Sequence, residues 1–138
     1  MKTEFQIVLM LILLTIGLFA TSALSADVPM MTKEELKAML GNPDLVIFDV
    51  RLGSDYFSSD LKIKGAVRPT EACSGEAVRP YPKEKTFVFY CASPNEERSF
   101  YNVKHLKEEH RNEGYAKTYV LKGGWEEWLK VNYPTEKK

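Results

Sequence analysis

The sequence predicts an α/β domain, with a mainly parallel central sheet flanked by helices on both faces. Three observations predict it. The runs Leu45-Val46-Ile47-Phe48-Asp49-Val50 and Thr86-Phe87-Val88-Phe89-Tyr90 are continuously apolar rather than alternating, as suits strands buried on both faces. A third run, Lys117-Thr118-Tyr119-Val120-Leu121, follows later in the chain. Segments with helical spacing lie between and after these runs, and strands that alternate with helices favour parallel pairing.

The first segment stands apart from the domain. Lys2 precedes an apolar run from Ile7 to Ala20, and the small residues Thr21-Ser22-Ala23-Leu24-Ser25-Ala26 follow. A cationic start, a run of this length and a small-residue exit read as a secretory signal peptide over 1–26, cleaved after Ala26. The run is shorter than the roughly 18 apolar residues expected of a spanning helix. The expected product is exported, periplasmic or extracellular, with no membrane association after cleavage. An uncleaved membrane anchor is the alternative. Residues 27–134 then make up the domain and 135–138 a polar, frayed tail.

The 138 residues carry 19 Lys+Arg and 19 Asp+Glu, a net charge of zero. Such a balance argues against nucleic acid as a partner, because its ligands usually carry a basic bias. A mature chain of about 110 residues can bury one core without staples. A monomer is expected.

Thr32-Lys33-Glu34-Glu35 fits a capping box, with Leu36, Met39 and Leu40 at helical spacing behind it. Gly41 stops that helix and Pro43 prevents its restart. Gly65-Ala66-Val67-Arg68-Pro69 reads as a short strand, and Thr70 to Pro82 as a loop. Phe100, Val103 and Leu106 share one face of a longer helix, with His110 and Arg111 in its last turn and Gly114 as its cap. Gly123-Gly124 turns into a last helix, whose Trp125 and Trp128 read as core.

In open α/β sheets ligands bind where loops leave the carboxyl ends of strands. Two such places stand out, after Val50 and after Tyr90. Cys91 directly follows the second strand. Ser93-Pro94-Asn95-Glu96 then resembles a helix start, with Ser93 as N-cap, Pro94 at the first helical position and Glu96 completing a capping box. A cysteine placed there faces the positive end of a helix and several unpaired amides, both of which favour the nucleophilic thiolate. Arg98 adds positive charge, whereas Glu96 and Glu97 oppose an anion. The plain structural alternative is an inert cysteine at a strand end.

The order of these segments resembles the rhodanese superfamily from about Met31 to Tyr133. Thr32-Lys33-Glu34-Glu35-Leu36 resembles its opening helix, and Phe48-Asp49-Val50-Arg51 its Asp-Val-Arg segment, with Tyr56 as the aromatic residue that follows. Lys62-Ile63-Lys64-Gly65-Ala66 stands where the family often has His-Ile-Pro-Gly-Ala. Tyr90-Cys91 stands where the catalytic cysteine leaves its strand. Val120-Leu121-Lys122-Gly123-Gly124-Trp125-Glu126-Glu127-Trp128 resembles the closing Gly-Gly helix.

The resemblance implies a rhodanese-like fold and a sulfurtransferase that needs no cofactor. Cys91 would carry sulfane sulfur as a persulfide, from a small sulfur donor to a thiophilic acceptor or a thiol protein. Ala92, Ser93, Asn95, Glu96, Glu97 and Arg98 would form the anion-binding loop, mainly through backbone amides. The loop departs from the family pattern. Six residues separate Cys91 from Arg98-Ser99, no glycine lies between them, and Pro94 lacks an amide proton. A small dianion such as thiosulfate would meet Glu96 and Glu97. The alternative reading is a rhodanese-like binding or regulatory module without turnover. A third is the phosphatase and arsenate-reductase branch, which has five residues between cysteine and arginine.

Asp49 and Arg51 are supporting candidates. As structure, the aspartate accepts loop amides and the arginine pairs on the surface. As a site, they organise the active loop or a substrate. Cys73 is a possible second thiol that could resolve a Cys91 persulfide or form a disulfide with Cys91, the blander reading being an unrelated loop thiol. His105 and His110 are five apart, whereas two metal ligands on one helix face prefer three or four, so no metal site is expected.

Overall fold

Successive residues of a strand point to opposite sides of its sheet, and here the two sides collect separate cores. The structure, a computed structural model, describes residues 28–70, 75–92, 95–111 and 113–138. In chain order the elements are β1 (Met30–Met31), α1 (Lys33–Met39), β2 (Leu45–Asp49), α2 (Gly53–Phe57), β3 (Leu61–Ile63), a 3-10 turn (Gly75–Val78), β4 (Thr86–Tyr90), α3 (Glu97–Glu109), β5 (Thr118–Leu121), α4 (Gly124–Lys130) and β6 (Thr135–Lys137). The central sheet has the order β1-β5-β4-β2, and each of its pairs is parallel. Val67 extends it by a single parallel bridge to Phe48.

Val46, Phe48, Phe87 and Phe89 pack with Val103 and Leu106 of α3 on one face. Their strand neighbours Ile47, Val88 and Tyr90 pack with Leu36 of α1 and Trp125 and Trp128 of α4 on the other. The continuous apolar runs have this cause, since both faces are covered by helices. Full burial of side chains such as Phe48 and Phe89 contributes ~1.5–3 kcal/mol each. Helix α1 starts as its sequence requires. Thr32 Oγ1 accepts from the Glu35 amide, and the Glu35 carboxylate accepts from the Thr32 amide at 2.7 Å.

Three elements differ from expectation. The strand expected at Gly65–Pro69 lies earlier, at Leu61–Ile63, and leaves only the Val67 bridge in the expected stretch. The loop from Thr70 to Pro82 contains the 3-10 turn, which inserts Val78 into the core. Residues 135–138 are not a frayed tail. Thr135–Lys137 form β6, antiparallel to β3, and the Trp128 indole donates to the Pro134 carbonyl at 3.0 Å. The expected signal segment, 1–26, lies outside the described residues.

The β3–β6 pair has a titratable clasp. Glu136 accepts from the Gly65 amide at 2.9 Å and lies 3.4 Å from Lys62 Nζ. The Gly65 amide, with Lys62 adding to it, holds the Glu136 carboxyl below the usual carboxylate range. A lowered folded-state pKa means that the clasp is at full strength above the ordinary glutamate value and is lost as pH falls through the folded value. Hydrogen exchange at Lys64 and Gly65, corrected for intrinsic rates, should therefore accelerate in acid. Glu136→Gln should be looser at neutral pH and show little of that acid dependence.

Candidate active site

Alternation along β4 sends Phe87, Phe89 and then Cys91 towards the α3 face. Cys91 is the first residue beyond the strand and is only 4% exposed. Its carbonyl accepts from the Trp125 amide at 2.9 Å, and the Ala92 carbonyl accepts from the Glu126 amide at 3.4 Å. The cysteine loop thus rests on the first turn of α4, where amides have no partner within their own helix.

The far end of the loop is tied to the same turn. Glu96 adopts a left-handed backbone with φ 51° and is 8% exposed. Its carboxylate accepts a hydrogen bond from the Gly123 amide, and its carbonyl accepts from the Phe100 amide at 2.8 Å. Glu96 is therefore the N-cap residue of α3, which begins at Glu97. Glu96 does not sit in the first turn, where the capping-box reading placed it; Ser93 and Pro94, the rest of that reading, lie outside the described residues. A local cap signal gave way to a tertiary contact, because the part-buried amide at Gly123 needs an acceptor. The Glu96 carboxylate accordingly faces Gly123 and does not line the Cys91 pocket, contrary to its expected place in the anion loop.

A pocket of about 380 Å³ opens beside the thiol, lined by Leu52, Asp55, Cys91, Ala92, Glu97, Arg98 and Tyr101. It brings together the two strand-end loops singled out from sequence. Of the expected loop residues, Cys91, Ala92, Glu97 and Arg98 line it, while Asn95 is exposed and outside the lining. Ser93 and Cys73 fall outside the described residues. The Arg98 Nε is buried with no hydrogen-bond partner among the described residues. Buried donors of this kind are normally satisfied.

Leu52, Asp55 and Tyr101 were not anticipated. Tyr101 follows Glu97 by four residues and Arg98 by three, so helical spacing alone could have placed it on their face. Leu52 and Asp55 lie in the loop and short helix after β2, at the predicted edge, but carry no chemical signature in sequence.

Asp49 and Arg51 do not line the pocket. Both are fully buried. Arg51 Nε donates to Asp49 Oδ1 at 2.9 Å and Nη2 to Oδ2 at 2.6 Å, while Nη2 also reaches the Leu61 carbonyl at 3.0 Å. The expected surface pairing of Arg51 is thus corrected to a buried one. The guanidinium stacks over Trp125 at 4.4 Å, which compensates part of its lost hydration. Burial works to lower its pKa, but the Asp49 hydrogen bonds and charge outweigh that and raise it. Burial first, then the Asp49 charge, pushes the Tyr90 phenol well above its ordinary range. The phenol stays neutral and accepts from the Ile63 amide at 3.3 Å. The expected amide contact is present as well, since the Arg51 amide donates to Asp49 Oδ1 at 3.2 Å.

A parallel α/β sheet with a cysteine leaving the carboxyl end of a central strand, over the first turn of the last helix, defines a class of protein. The rhodanese-like domain family matches residues 32–131, and the chain belongs to that family. A rhodanese-like domain from Anabaena sp. is similar at 30% identity and a TM-score of 0.58, over 80% of each chain. A full-length protein from Lactobacillus plantarum is similar at 20% identity and a TM-score of 0.65, over 79% of this chain and 88% of that one. A Rhodopseudomonas palustris protein described as a possible tyrosine phosphatase is 24% identical with a TM-score of 0.53, over 79% and 85% of the two chains. No match was found among curated proteins.

Proposed function

We propose that this chain is an exported sulfurtransferase that moves sulfane sulfur through a persulfide on Cys91. The observation that carries the reading is that Cys91 lines one small pocket with Arg98, whose Nε has no hydrogen-bond partner among the described residues. In the loading step the Cys91 thiolate attacks the sulfane sulfur of a donor. The donor's S–S bond breaks, and its remaining sulfur anion leaves with the electron pair. In the discharge step an acceptor thiolate attacks the outer sulfur of the protonated persulfide. The new S–S bond forms on the acceptor, and Cys91 departs as thiolate. Each half is a nucleophilic substitution at sulfur, and the protein supplies position and positive charge. No external cofactor enters either step.

Intact-mass measurement of the reduced mature domain after exposure to polysulfide tests this. The expected result is a gain of one sulfur atom that a thiol or cyanide removes, and no such gain in Cys91→Ser. A correctly folded protein that gains no sulfur from polysulfide or thiosulfate would instead be a binding module.

A further inference from the structure

The charged side chains lining the Cys91 pocket are two carboxylates, Asp55 and Glu97, against one guanidinium, Arg98. The carboxylates come from different elements, α2 and α3, and so from different walls. Neither has an ion-pair partner among the described residues. The remaining walls are apolar or aromatic, and Leu52 and Tyr101 are 52% and 57% exposed. Arg98 suits the anionic sulfur held at Cys91, which leaves Asp55 and Glu97 without a counter-charge. The electron-rich Tyr101 phenol ring, which stacks on His105 and lines the same pocket, favours an ammonium group beside such carboxylates. A pocket of about 380 Å³ suits a small molecule.

We propose that Asp55 and Glu97 are specificity-determining residues that make the pocket prefer, as sulfur acceptor, a small thiol carrying a positive charge. The inference rests on the sulfur-carrier reading and adds the acceptor class to it. The chemistry is the discharge step above. The acceptor thiolate takes the outer sulfur and becomes a persulfide, Cys91 leaves as thiolate, and the ammonium stays protonated throughout.

The test uses the mature domain, first loaded with sulfur from polysulfide and confirmed by mass. Discharge is then followed with cysteamine, 2-mercaptoethanol and 2-mercaptoethanesulfonate at equal thiolate concentration. These three differ in charge while sharing a two-carbon thiol. Exposed ion pairs shift an equilibrium by up to about fivefold each. Attraction of the cation and repulsion of the anion should therefore separate their second-order rates by roughly tenfold. That ratio should shrink at high ionic strength and fall several-fold in Asp55→Asn/Glu97→Gln. Taking each ratio against the variant cancels the thiols' intrinsic nucleophilicities. A loaded protein whose cation-to-anion ratio is the same in wild type and variant overturns the acceptor inference and leaves the carrier reading standing. Failure to load sulfur at all overturns both.

Discussion

Asp49→Ala is expected to lose about 3–5 kcal/mol of stability, the usual result of stripping one partner from a buried ion pair. The Arg51 guanidinium would remain fully buried with, among the described residues, the Leu61 carbonyl and the aromatic faces of Trp125, Tyr90 and Tyr56 as its remaining partners. Those rings lie 4.4–5.7 Å away and cannot replace a carboxylate that accepts from three of its neighbour's nitrogens. A domain of this size holds roughly 5–15 kcal/mol in total, so the loss is a large fraction of the whole. Thermal unfolding should move down by more than about 10 °C. The second variant separates a lost charge pair from a lost shape. Asp49→Ala/Arg51→Met removes both charges and should recover a good part of the loss, because an apolar side chain of similar length fits under Trp125. A double variant no more stable than Asp49→Ala would show that the pair is irreplaceable by packing.

That buried pair also marks where sequence reading stops. The continuous runs of β2 and β4 announced a sheet covered on both faces, and the capping box at Thr32 announced the start of α1. Both signals are local, and nothing elsewhere in the fold contradicts them. Arg51 carries no sign of burial, because a charged residue is normally exposed. Its concealment depends on Trp125 and Tyr90, which are distant in sequence. Thr135–Lys137 are polar and only three residues long, so no periodicity identified β6. The pairing with Leu61–Ile63 is supplied by the tertiary fold. Of the pocket lining, Cys91, Ala92, Glu97 and Arg98 were legible because a strand end and a helix start lie close together in sequence. Asp55 and Tyr101 were not, because the pocket draws on α2 and α3, which are distant in sequence. Glu96 was misread for a similar reason. A glutamate three residues after Ser93 imitates a capping box, while its actual partner, the Gly123 amide, is 27 residues away.

Glu96 should prove to be the positioning residue of the cysteine loop. Among the described residues, three hydrogen bonds fasten that loop to the start of α4: Trp125 amide to Cys91 carbonyl, Glu126 amide to Ala92 carbonyl, and Gly123 amide to the Glu96 carboxylate. Of these three the last is made by a side chain, so truncating that side chain removes it. Glu96→Ala leaves a part-buried amide without an acceptor, at a cost of roughly 1–3 kcal/mol. It also frees the residue that sets where α3 begins, and with it the position of Arg98 relative to Cys91. Misplacement of reacting groups by about 1 Å can cost on the order of a hundredfold in rate. Saturated sulfur loading of Cys91 is therefore expected to fall at least about tenfold at temperatures where the variant is still folded. Glu96→Gln keeps an acceptor oxygen in the same place and should restore most of the rate. Glu96→Gly relaxes the left-handed backbone yet lacks the acceptor, so it should load sulfur as poorly as alanine even where it regains stability. If glycine restored loading as well as glutamine does, the backbone conformation and not the Gly123 contact would be what positions the loop.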